Sequence, residues 1–377
     1  MNRKIASHYA LVGGRLCRNI VVEVDASRQI VAINQVDSID NIHGVEFYPG
    51  ILIPGMVNAH CHLELSYLRG AIAEGGGFAT FAREIGRVRG NYTLEERIAA
   101  ASKADAQMWE EGVEAVLDIA NDEAVMGVKR GSHIEYVTLF ELFGLTTTTI
   151  DDHLSMASRH EGCSITPHST YSLHNQVFID ACKANASTIS VHLLESPDEA
   201  RLYKHEGSLW EWYSRMGWQC DFLSYATPAR RVAESIDPLR RVVVVHGCEA
   251  TTEDVALLAS HFGKGITWTL CPESNRYISS VRPPVEILRS MGANIAIGSD
   301  SLASSRTLSI IENLRLLGDV PLEELLTYAT MGGARAIGRD NEIGSIAVGK
   351  RPGLAVIEGA DLHALRLTPE SRAHRIL

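Results

Sequence analysis

The chain contains the stretch Ile51-Leu52-Ile53-Pro54-Gly55-Met56-Val57-Asn58-Ala59-His60-Cys61-His62. Its first part is a continuously apolar run, which is typical of a buried β-strand. Two imidazoles follow, two residues apart, and in an extended strand such side chains point to the same side. His60 and His62 can therefore face one point in space, as two nitrogen ligands of a divalent metal must. Histidines at this spacing also occur by chance, so the pair gains weight only from what ends the later strands.

Apolar runs of this kind recur along the chain and alternate with amphipathic stretches. The eight predicted strands are Ile51–Val57, Val113–Ile119, Ile134–Phe140, Ser164–Thr166, Thr188–Leu193, Val242–Val245, Ile266–Leu270 and Asn294–Ile297. Helices are predicted between them, for example over Leu94–Glu111, Val177–Ala184, Pro283–Met291 and Leu308–Leu317. This alternation predicts an α/β fold with a parallel sheet covered on both faces, and eight units predict a closed (β/α)8 barrel. An open doubly wound sheet is the alternative, which the lack of a glycine-rich phosphate fingerprint after any strand disfavours.

Both ends of the chain are predicted to form short strands. Residues 1–50 contain β-branched runs such as Ile20–Val24, and the run Leu354–Ile357 follows a glycine-rich turn. Neither end can bury a core alone, so we expect both to join in one small β-sandwich. The predicted organisation is the N-terminal part of the sandwich at 1–50, the barrel at 51–340 and the C-terminal part of the sandwich at 341–377.

Composition narrows the class of protein. The 377 residues are 45% hydrophobic and 21% charged, which is ordinary for a globular chain, and the formal net charge of -11 argues against a nucleic-acid partner. Seven cysteines without a CxxC pair favour free thiols in a reducing compartment. The N-terminus lacks the apolar region of a secretory signal, and no run is long enough to span a bilayer. We therefore expect a cytoplasmic protein without a membrane partner.

Polar residues end six of the eight predicted strands. These ends are His60 with His62, Pro167-His168-Ser169-Thr170-Tyr171, His192-Leu193-Leu194-Glu195, His246-Gly247, Cys271-Pro272-Glu273-Ser274-Asn275 and Gly298-Ser299-Asp300-Ser301. Each has an ordinary explanation, since a buried histidine is more often a satisfied hydrogen-bonding group than a ligand, and an aspartate after Gly-Ser is often a helix N-cap. Barrel enzymes, however, place their chemistry at the C-terminal ends of the strands. Independent accidents would not favour the same end of one barrel.

Three imidazoles and one carboxylate form a reasonable site for Zn²⁺ or Fe²⁺ with one position open to water. The predicted ligands are His60, His62, His192 and Asp300. A metal at this site lowers the pKa of bound water, and Asp300 can accept the water proton as hydroxide attacks. Glu195 can protonate a ring nitrogen and then deliver a proton to the leaving group, and His246 can hydrogen-bond the water or polarise the bond under attack.

These residues, in their order and spacing, resemble the amidohydrolase superfamily. The resemblance covers essentially the whole chain and is strongest to the single-metal aminohydrolases, a branch with deaminases and triazine and chlorohydrolase-like enzymes. It implies a (β/α)8 barrel with a terminal β-sandwich, metal roles for His60, His62, His192 and Asp300, and catalytic roles for Glu195, His246 and Asp300. It also implies hydrolytic loss of an amine from a ring carbon, with release of ammonia. Thr166-Pro167-His168 stands on strand four, where two-metal members carry a bridging lysine.

The substrate is suggested by two further resemblances. Pro167-His168-Ser169-Thr170-Tyr171 is similar to an element of adenosine- and S-adenosylhomocysteine-type deaminases, and the segments after Cys271 and Asp300 look like those of the aminodeoxyfutalosine deaminase group. An aminopurine nucleoside is therefore the leading substrate class, with His168 as a candidate contact. Hydrolysis of a C–Cl or cyclic amide bond on the same site is an alternative, and a non-catalytic barrel is another. A homo-oligomer is expected from the family and from the frequency of symmetric dimers.

Residues around the predicted mouth of the barrel have weaker signals. Gly75-Gly76-Gly77 could be a lid hinge or a plain surface loop. Glu64, Arg69 and Trp210 lie at plausible rim positions, where we favour structural roles.

Overall fold

The computed structural model describes residues 2–146 and 149–377. Its strands, in chain order, are β1 (Arg3–Val12), β2 (Arg15–Cys17), β3 (Ile20–Val24), β4 (Ile30–Gln35), β5 (Val45–Pro54), β6 (Met56–Cys61), β7 (Val113–Ala120), β8 (Glu135–Leu142), β9 (Ser164–Pro167), β10 (Ile189–Leu193), β11 (Val242–His246), β12 (Ile266–Leu270), β13 (Ile295–Ile297), β14 (Leu354–Glu358) and β15 (Arg372–Arg375).

The α-helices, in chain order, are α1 (Phe78–Val88), α2 (Leu94–Glu110), α3 (Met126–Gly131), α4 (Ile150–Ser158), α5 (Asn175–Ala184), α6 (Pro197–Leu202), α7 (Gly207–Met216), α8 (Pro228–Ser235), α9 (Thr252–Phe262), α10 (Pro272–Ser279), α11 (Val285–Ser290), α12 (Ile310–Arg315), α13 (Leu322–Thr327) and α14 (Gly333–Ala336). Short 3₁₀ turns cover Ile39–Asn41, Leu63–Leu68, Arg89–Asn91, Asp221–Ser224 and Gly263–Gly265, and a π-helical turn covers Tyr328–Gly332.

The strands β6 to β13 form the predicted barrel. β6 to β9 pair in parallel as one sheet, and β10 to β13 pair in parallel as another. Backbone hydrogen bonds join the two sheets at both edges. The amide of His192 donates to the carbonyl of His168 at 2.8 Å, and the amide of Asp300 donates to the carbonyl of His60 at 3.0 Å. The eight strands therefore close on themselves, and the prediction of a (β/α)8 barrel is confirmed.

The two termini meet in one seven-stranded sheet, in the order β15-β14-β5-β1-β3-β4 with β2 paired to β1. β14 lies antiparallel to β5, which brings the C-terminal segment against the N-terminal strands. The expectation that both ends share a small β domain beside the barrel is confirmed. The domain boundaries at 1–50, 51–340 and 341–377 stay predictions.

The run Ile51–Val57, predicted as one strand, is divided at Gly55 between β5 in the terminal sheet and β6 in the barrel. The division has a packing cause. A Cβ atom on Gly55 would lie 2.5 Å from the carbonyl oxygen of Pro352 and 2.8 Å from the Cβ of Glu114. The chain therefore passes between the two domains at a point where only glycine fits. The other seven predicted strands agree with β7 to β13 to within two residues at each end.

The barrel strands are apolar on both sides because both sides are covered. In β11, Val243 and Val245 belong to the cluster that fills the barrel interior, whereas Val242 and Val244 pack in the larger cluster between strands and helices. All four are fully buried. This is why the strands read as continuous hydrophobic runs rather than as alternating patterns.

The segments that follow β8, β9 and β10 build an apolar, tyrosine-rich cover over the C-terminal end of the barrel. Its buried members are Leu145, Tyr171, Leu202, Tyr203, Leu209, Tyr213 and Phe222. α6 and α7 contribute much of this cluster, which flanks an opening at this end of the barrel. Among the described helices, none combines the length and the apolar character needed to cross a bilayer.

Candidate active site

The predicted metal ligands lie together at the C-terminal end of the barrel. His60 is on β6 and His62 directly follows it, His192 is on β10, and Asp300 follows β13. His246 is the last residue of β11. None of these five residues is more than 6% exposed.

Short distances connect the side chains of these five residues. Oδ1 of Asp300 lies 3.6 Å from Nε2 of His60 and 3.6 Å from Nε2 of His62. The ring of His192 approaches that of His60, with 4.8 Å between centroids. The potential ligand atoms of His60, His192 and His246 lie within 4.8 Å of one another, and so do those of His60, His62 and Asp300. His60 belongs to both groups and therefore connects the five residues in one cluster.

The hydrogen bonding of these imidazoles shows whether a cation fits there. Both ring nitrogens of His60 are buried without a hydrogen-bond partner among the described residues, as are Nδ1 of His62 and Nε2 of His246. Each such group costs about 1–3 kcal/mol when it stays unpaired. A cation that shares the free lone pairs removes part of this cost. Imidazole nitrogens with one carboxylate oxygen form a donor set that suits Zn²⁺ or Fe²⁺, so the residues fit one divalent ion.

Asp300 is held in a fixed orientation by two hydroxyl groups. Ser274 Oγ and Ser304 Oγ donate to its Oδ2 at 2.5 and 2.8 Å, so Oδ1 is the oxygen that faces the imidazoles. Burial alone would raise the pKa of Asp300, but the facing imidazoles of His60 and His62 outweigh it and keep this pKa well below its usual value. The carboxyl group is therefore charged, as a metal ligand must be.

His192 has one ring nitrogen available for a ligand. Its Nδ1 lies 2.8 Å from the carbonyl oxygen of His168, which accepts the Nδ1–H and leaves the lone pair on Nε2. A further group of potential ligands, Glu141, His168 and His192, also lies within 4.8 Å. One lone pair cannot serve two ions, so that group and the His60 cluster would compete for His192. The chemistry of the donors thus favours a single metal centre.

Glu195 and His246 face each other beside this centre. Glu195 Oε1 lies 3.6 Å from Nε2 of His246, and the hydroxyl of Tyr171 donates to Glu195 Oε2 at 3.4 Å. Burial, with smaller effects from the carboxyl groups of Asp300 and Glu199, raises the pKa of Glu195 well above its usual value. Burial also lowers the pKa of His246 to about 4. A carboxyl group that holds a proton beside a neutral imidazole is suited to proton transfer.

Three non-glycine residues at these strand ends have left-handed backbones. They are Leu194 with φ 51°, His246 with φ 71° and Asp300 with φ 57°. Such conformations cost of order 1–3 kcal/mol and cluster at functional sites. Here they occur where the chain leaves β10, β11 and β13, and they direct neighbouring side chains toward one centre.

A cavity of about 240 Å³ opens above these residues. Its polar floor consists of His62, His192, Glu195, His246 and Asp300. Other side chains form its wall. Apolar groups of that wall are Leu65, Phe78, Phe81, Ala82, Ile85, Phe143, Leu209 and Trp212. His168, the predicted substrate contact, also lines the cavity and stacks on His192 with 4.5 Å between centroids. The cavity combines a few buried polar groups with a mostly apolar wall, as small-molecule sites do.

Sequence reasoning missed Glu141, Ser274 and Asn275 as members of the site. Glu141 is the penultimate residue of β8, accepts a hydrogen bond from Asn121 Nδ2 at 2.8 Å, and lies 3.9 Å from Nδ1 of His62. Burial raises the pKa of Glu141 to about 8. The signal was available, because a polar residue follows the apolar run Ile134–Phe140 as at six other strands. Ser274 and Asn275 stood in a recognised motif, but the sequence does not show which groups they contact.

The rim residues have contacts of their own. Glu64 is buried and accepts a hydrogen bond from the amide of Asp122 at 3.3 Å, while Arg69 is on the surface and donates to the carbonyl of Arg306. Trp210 packs on His205, and it is Trp212 that lines the cavity.

The glycine loop at residues 75–77 is attached to the end of α10. Gly75 N donates to the carbonyl of Tyr277 at 2.7 Å, and Gly77 N donates to that of Ile278 at 2.9 Å. These bonds hold the loop in place, and its predicted role as a lid hinge stays a prediction.

The sequence of this chain is similar to a known family and to named relatives. The sequence model of a protein family, described as "Amidohydrolase family", matches residues 51–373. A 5-methylthioadenosine/S-adenosylhomocysteine deaminase of Halobacterium salinarum is 28% identical over 93% of this chain and 81% of its own length. An aminodeoxyfutalosine deaminase of Nitratiruptor sp. is 24% identical over 86% of this chain and 85% of its own length.

Solved structures share the fold over nearly the whole chain. The aminofutalosine deaminase of Helicobacter pylori in complex with methylthio-coformycin superimposes with a TM-score of 0.80 at 22% identity, covering 97% of this chain and 93% of that one. An adenosine deaminase from Xanthomonas campestris with bound zinc gives 0.74 at 21% identity, covering 95% and 85%. These likenesses confirm the barrel and the terminal sheet predicted from the sequence.

Proposed function

The chain belongs to the amidohydrolase family, as its sequence predicts, and we propose that it is a metal-dependent hydrolase that deaminates an aminopurine nucleoside. In this reaction water replaces the amino group on a ring carbon, the ring gains a carbonyl oxygen, and ammonia leaves. The observation that carries the proposal is the approach of Glu195 and His246 to the cluster of His60, His62, His192 and Asp300 beneath one cavity.

We assign four residues to the ion and propose zinc as its identity. His60, His62 and His192 would supply nitrogen and Asp300 would supply Oδ1. The chemistry that a divalent ion supplies at such a site is acidification of water toward neutral pH. Support for zinc comes from the donor set and from the zinc-bound adenosine deaminase that shares the fold.

Glu195 is the proposed proton carrier. Its carboxyl group is buried and its pKa is raised, so it can hold a proton at neutral pH and give it to a ring nitrogen of the substrate. The carboxylate that remains can take the second water-derived proton from the hydroxyl group added to the ring carbon and pass it to the leaving amine, while the first water proton, taken up during the attack, later restores the acid form of Glu195. Tyr171 keeps Oε2 in place through its hydroxyl group, which leaves Oε1 toward the centre.

His246 is proposed to accept a hydrogen bond from the attacking water. Its Nδ1–H donates to Asn275 Oδ1 at 2.8 Å, so the neutral ring keeps a lone pair on Nε2, on the side of Glu195 and the ligand cluster. A neutral imidazole can accept a hydrogen bond from the water as it is deprotonated. Asp300 Oδ1, which faces the same point, is positioned to take part in this proton transfer.

The substrate class is supported by the names of the relatives and by the cavity. A 5-methylthioadenosine/S-adenosylhomocysteine deaminase and an aminodeoxyfutalosine deaminase are among the relatives, and a solved structure of similar fold holds methylthio-coformycin. His168 lines the cavity beside the ligand cluster, and we assign it to substrate binding. The predicted homo-oligomer and cytoplasmic location stay predictions, and light scattering of the purified protein tests the first.

Ammonia release from a panel of aminopurine nucleosides, free aminopurines and pterins tests this function. We expect turnover of at least one nucleoside, and a loss of about 10²–10⁴-fold in Glu195→Gln with metal content unchanged. Chloride release from a chlorinated analogue, or carboxylate release from a cyclic amide, with no ammonia from any amine would favour the alternative chemistries. No turnover of any heterocycle by the zinc-loaded protein would count against an enzyme at this site.

A further inference from the structure

Glu199 is a buried carboxyl group that the proposed chemistry does not use. It lies on α6, one helical turn beyond Glu195, and has no exposed surface. A carboxyl group is rarely buried in full unless donors surround it. The donors here come from two separate segments of the site.

The first set of donors is the backbone beneath Glu195. The amide of Glu195 donates to Glu199 Oε2 at 3.1 Å, and the neighbouring amide of Leu194 helps to lower the pKa of this carboxyl group. Leu194 is the residue with φ 51°, where the chain turns away from β10. Glu199 therefore stabilises a strained turn whose geometry decides where the side chain of Glu195 points.

The second donor is the hydroxyl group of Thr170, which bonds to Glu199 Oε1. The carbonyl of Thr170 is fixed in turn by the hydroxyl of Tyr203 at 2.7 Å and by Arg231 Nη1 at 2.5 Å. Thr170 precedes Tyr171, whose hydroxyl donates to the carboxyl group of Glu195. One carboxyl group thus supports both the backbone under Glu195 and the segment that carries the hydrogen-bond donor to its side chain.

We propose that Glu199 is a positioning residue, which sets the carboxyl group of Glu195 against the reacting ring. This rests on the proposed function, because it assigns Glu199 to the proton-transfer step. Glu199 affects the reaction by positioning Glu195. Its own hydrogen bonds are to Thr170 and to the backbone of Glu195, not to the predicted metal ligands. Removal of its acceptors should therefore slow the chemical step while substrate binding and metal content stay nearly constant.

Two substitutions of similar size separate hydrogen bonding from packing. Glu199→Leu fills the space but accepts no hydrogen bond, so the amide of Glu195 loses its partner. Glu199→Gln keeps one oxygen for this amide, and its amino group can donate to Thr170 because a hydroxyl group also accepts. We expect kcat for nucleoside deamination to fall about 10–100-fold in Glu199→Leu and by less than about threefold in Glu199→Gln, with KM within about threefold in both.

The control is Glu211→Leu, the same change on the exposed side of α7, and it should leave kcat unchanged. A double variant provides the sharper readout. If Glu199 acts through Glu195, then Glu195→Gln combined with Glu199→Leu should be no slower than Glu195→Gln alone. A crystal structure of Glu199→Leu should show Leu194 outside the left-handed region or the carboxyl group of Glu195 displaced.

A folded, metal-loaded Glu199→Leu variant with unchanged kcat overturns the proposal, as do losses that multiply in the double variant. If Glu199→Leu does not fold, Thr170→Val takes its place: we expect a smaller loss of kcat that again disappears in the Glu195→Gln background, and an unchanged kcat overturns the proposal. Failure of the proposed function is a separate result. A wild-type protein that releases ammonia from no nucleoside removes that function and this role together, whereas an active wild type with unaffected variants removes only the role of Glu199.

Discussion

Asn275 Oδ1 lies 2.8 Å from Nδ1 of His246 and fixes the tautomer of that imidazole. Asn275 is on α10, the helix that follows β12, so a residue that comes after the seventh barrel strand orients a side chain at the end of the sixth. Both side chains are almost completely buried. The contact shows how the segment between Cys271 and Asn275 can take part in the site without reaching the cavity floor itself.

We expect Asn275→Ala to lower kcat about 10–100-fold, because His246 then has no acceptor that fixes its Nδ1–H. Asn275→Asp keeps an oxygen acceptor and should lose less. Steady-state ammonia release with both variants is the measurement, and metal analysis is the control. Equal losses in the two variants would show that the size of the residue, not its acceptor, matters.

Metal retention should depend on Asp300 and on the serine beside it. In Asp300→Asn the charged ligand is lost, and we expect the purified protein to hold well below one ion per chain and to melt at a lower temperature. Ser274→Ala removes one of the two hydroxyl donors to Oδ2 and should weaken metal affinity about tenfold or more. Elemental analysis and thermal melts before and after chelation measure both effects. An Asp300→Asn protein that keeps a full complement of metal would contradict the ligand assignment.

The barrel and the metal cluster were predictable because their signals are local. Continuous apolar runs such as Val242–Val245 predict buried parallel strands, and the spacing of His60 and His62 places two imidazoles on one side of a strand. Closure of the barrel then brings the ends of β6, β10 and β13 to one place. The topology of the barrel alone therefore predicts that polar residues at the ends of separate strands lie together.

The supporting contacts were not predictable, because each depends on tertiary geometry. Ser274 and Asn275 are adjacent, yet one bonds to Asp300 and the other to His246. Nothing in their spacing assigns these partners. In the sequence, Glu199 is likewise an ordinary acidic residue in the first turn of a predicted helix, where its negative charge would interact favourably with the helix dipole. Only the fold shows that Thr170 and the backbone of Glu195 converge on it.

Acid stability should depend on Glu123, which pairs with Arg159 and His160 on the surface beside α4. The hydrogen bond from Arg159 lowers the pKa of Glu123 to about 2, and His160 adds to this effect. Since the pKa of Glu123 is lower in the folded protein than in the unfolded chain, these contacts of Glu123 stabilise the fold above about pH 4.5. The stabilisation is lost as the pH falls toward 2. The side chain is 34% exposed, so solvent screening keeps the contribution small.

Melting temperatures of wild type and Glu123→Gln from pH 5.5 to pH 3 measure this contribution. We expect the wild type to melt about 1 °C higher at pH 5.5, and the difference to shrink as the pH falls. Glu211→Gln, a change at an exposed residue of α7, is the control and should give no such trend. A difference that grows on acidification would have the wrong sign for a lowered pKa.

The apolar wall of the cavity should govern affinity more than the rate of chemistry. Phe81 on α1 and Trp212 on α7 line the cavity from separate helices, away from the polar floor. Truncation to alanine removes contact surface that a bound nucleoside would cover both in the ground state and in the transition state. We therefore expect Phe81→Ala and Trp212→Ala to raise KM about 5–50-fold with kcat changed much less. Phe47→Ala, at an exposed aromatic residue of the terminal sheet, is the matched control and should leave both constants unchanged. A fall in kcat at constant KM would instead mean that these side chains shape the reacting geometry, and would place the substrate deeper against α1 and α7 than the cavity suggests.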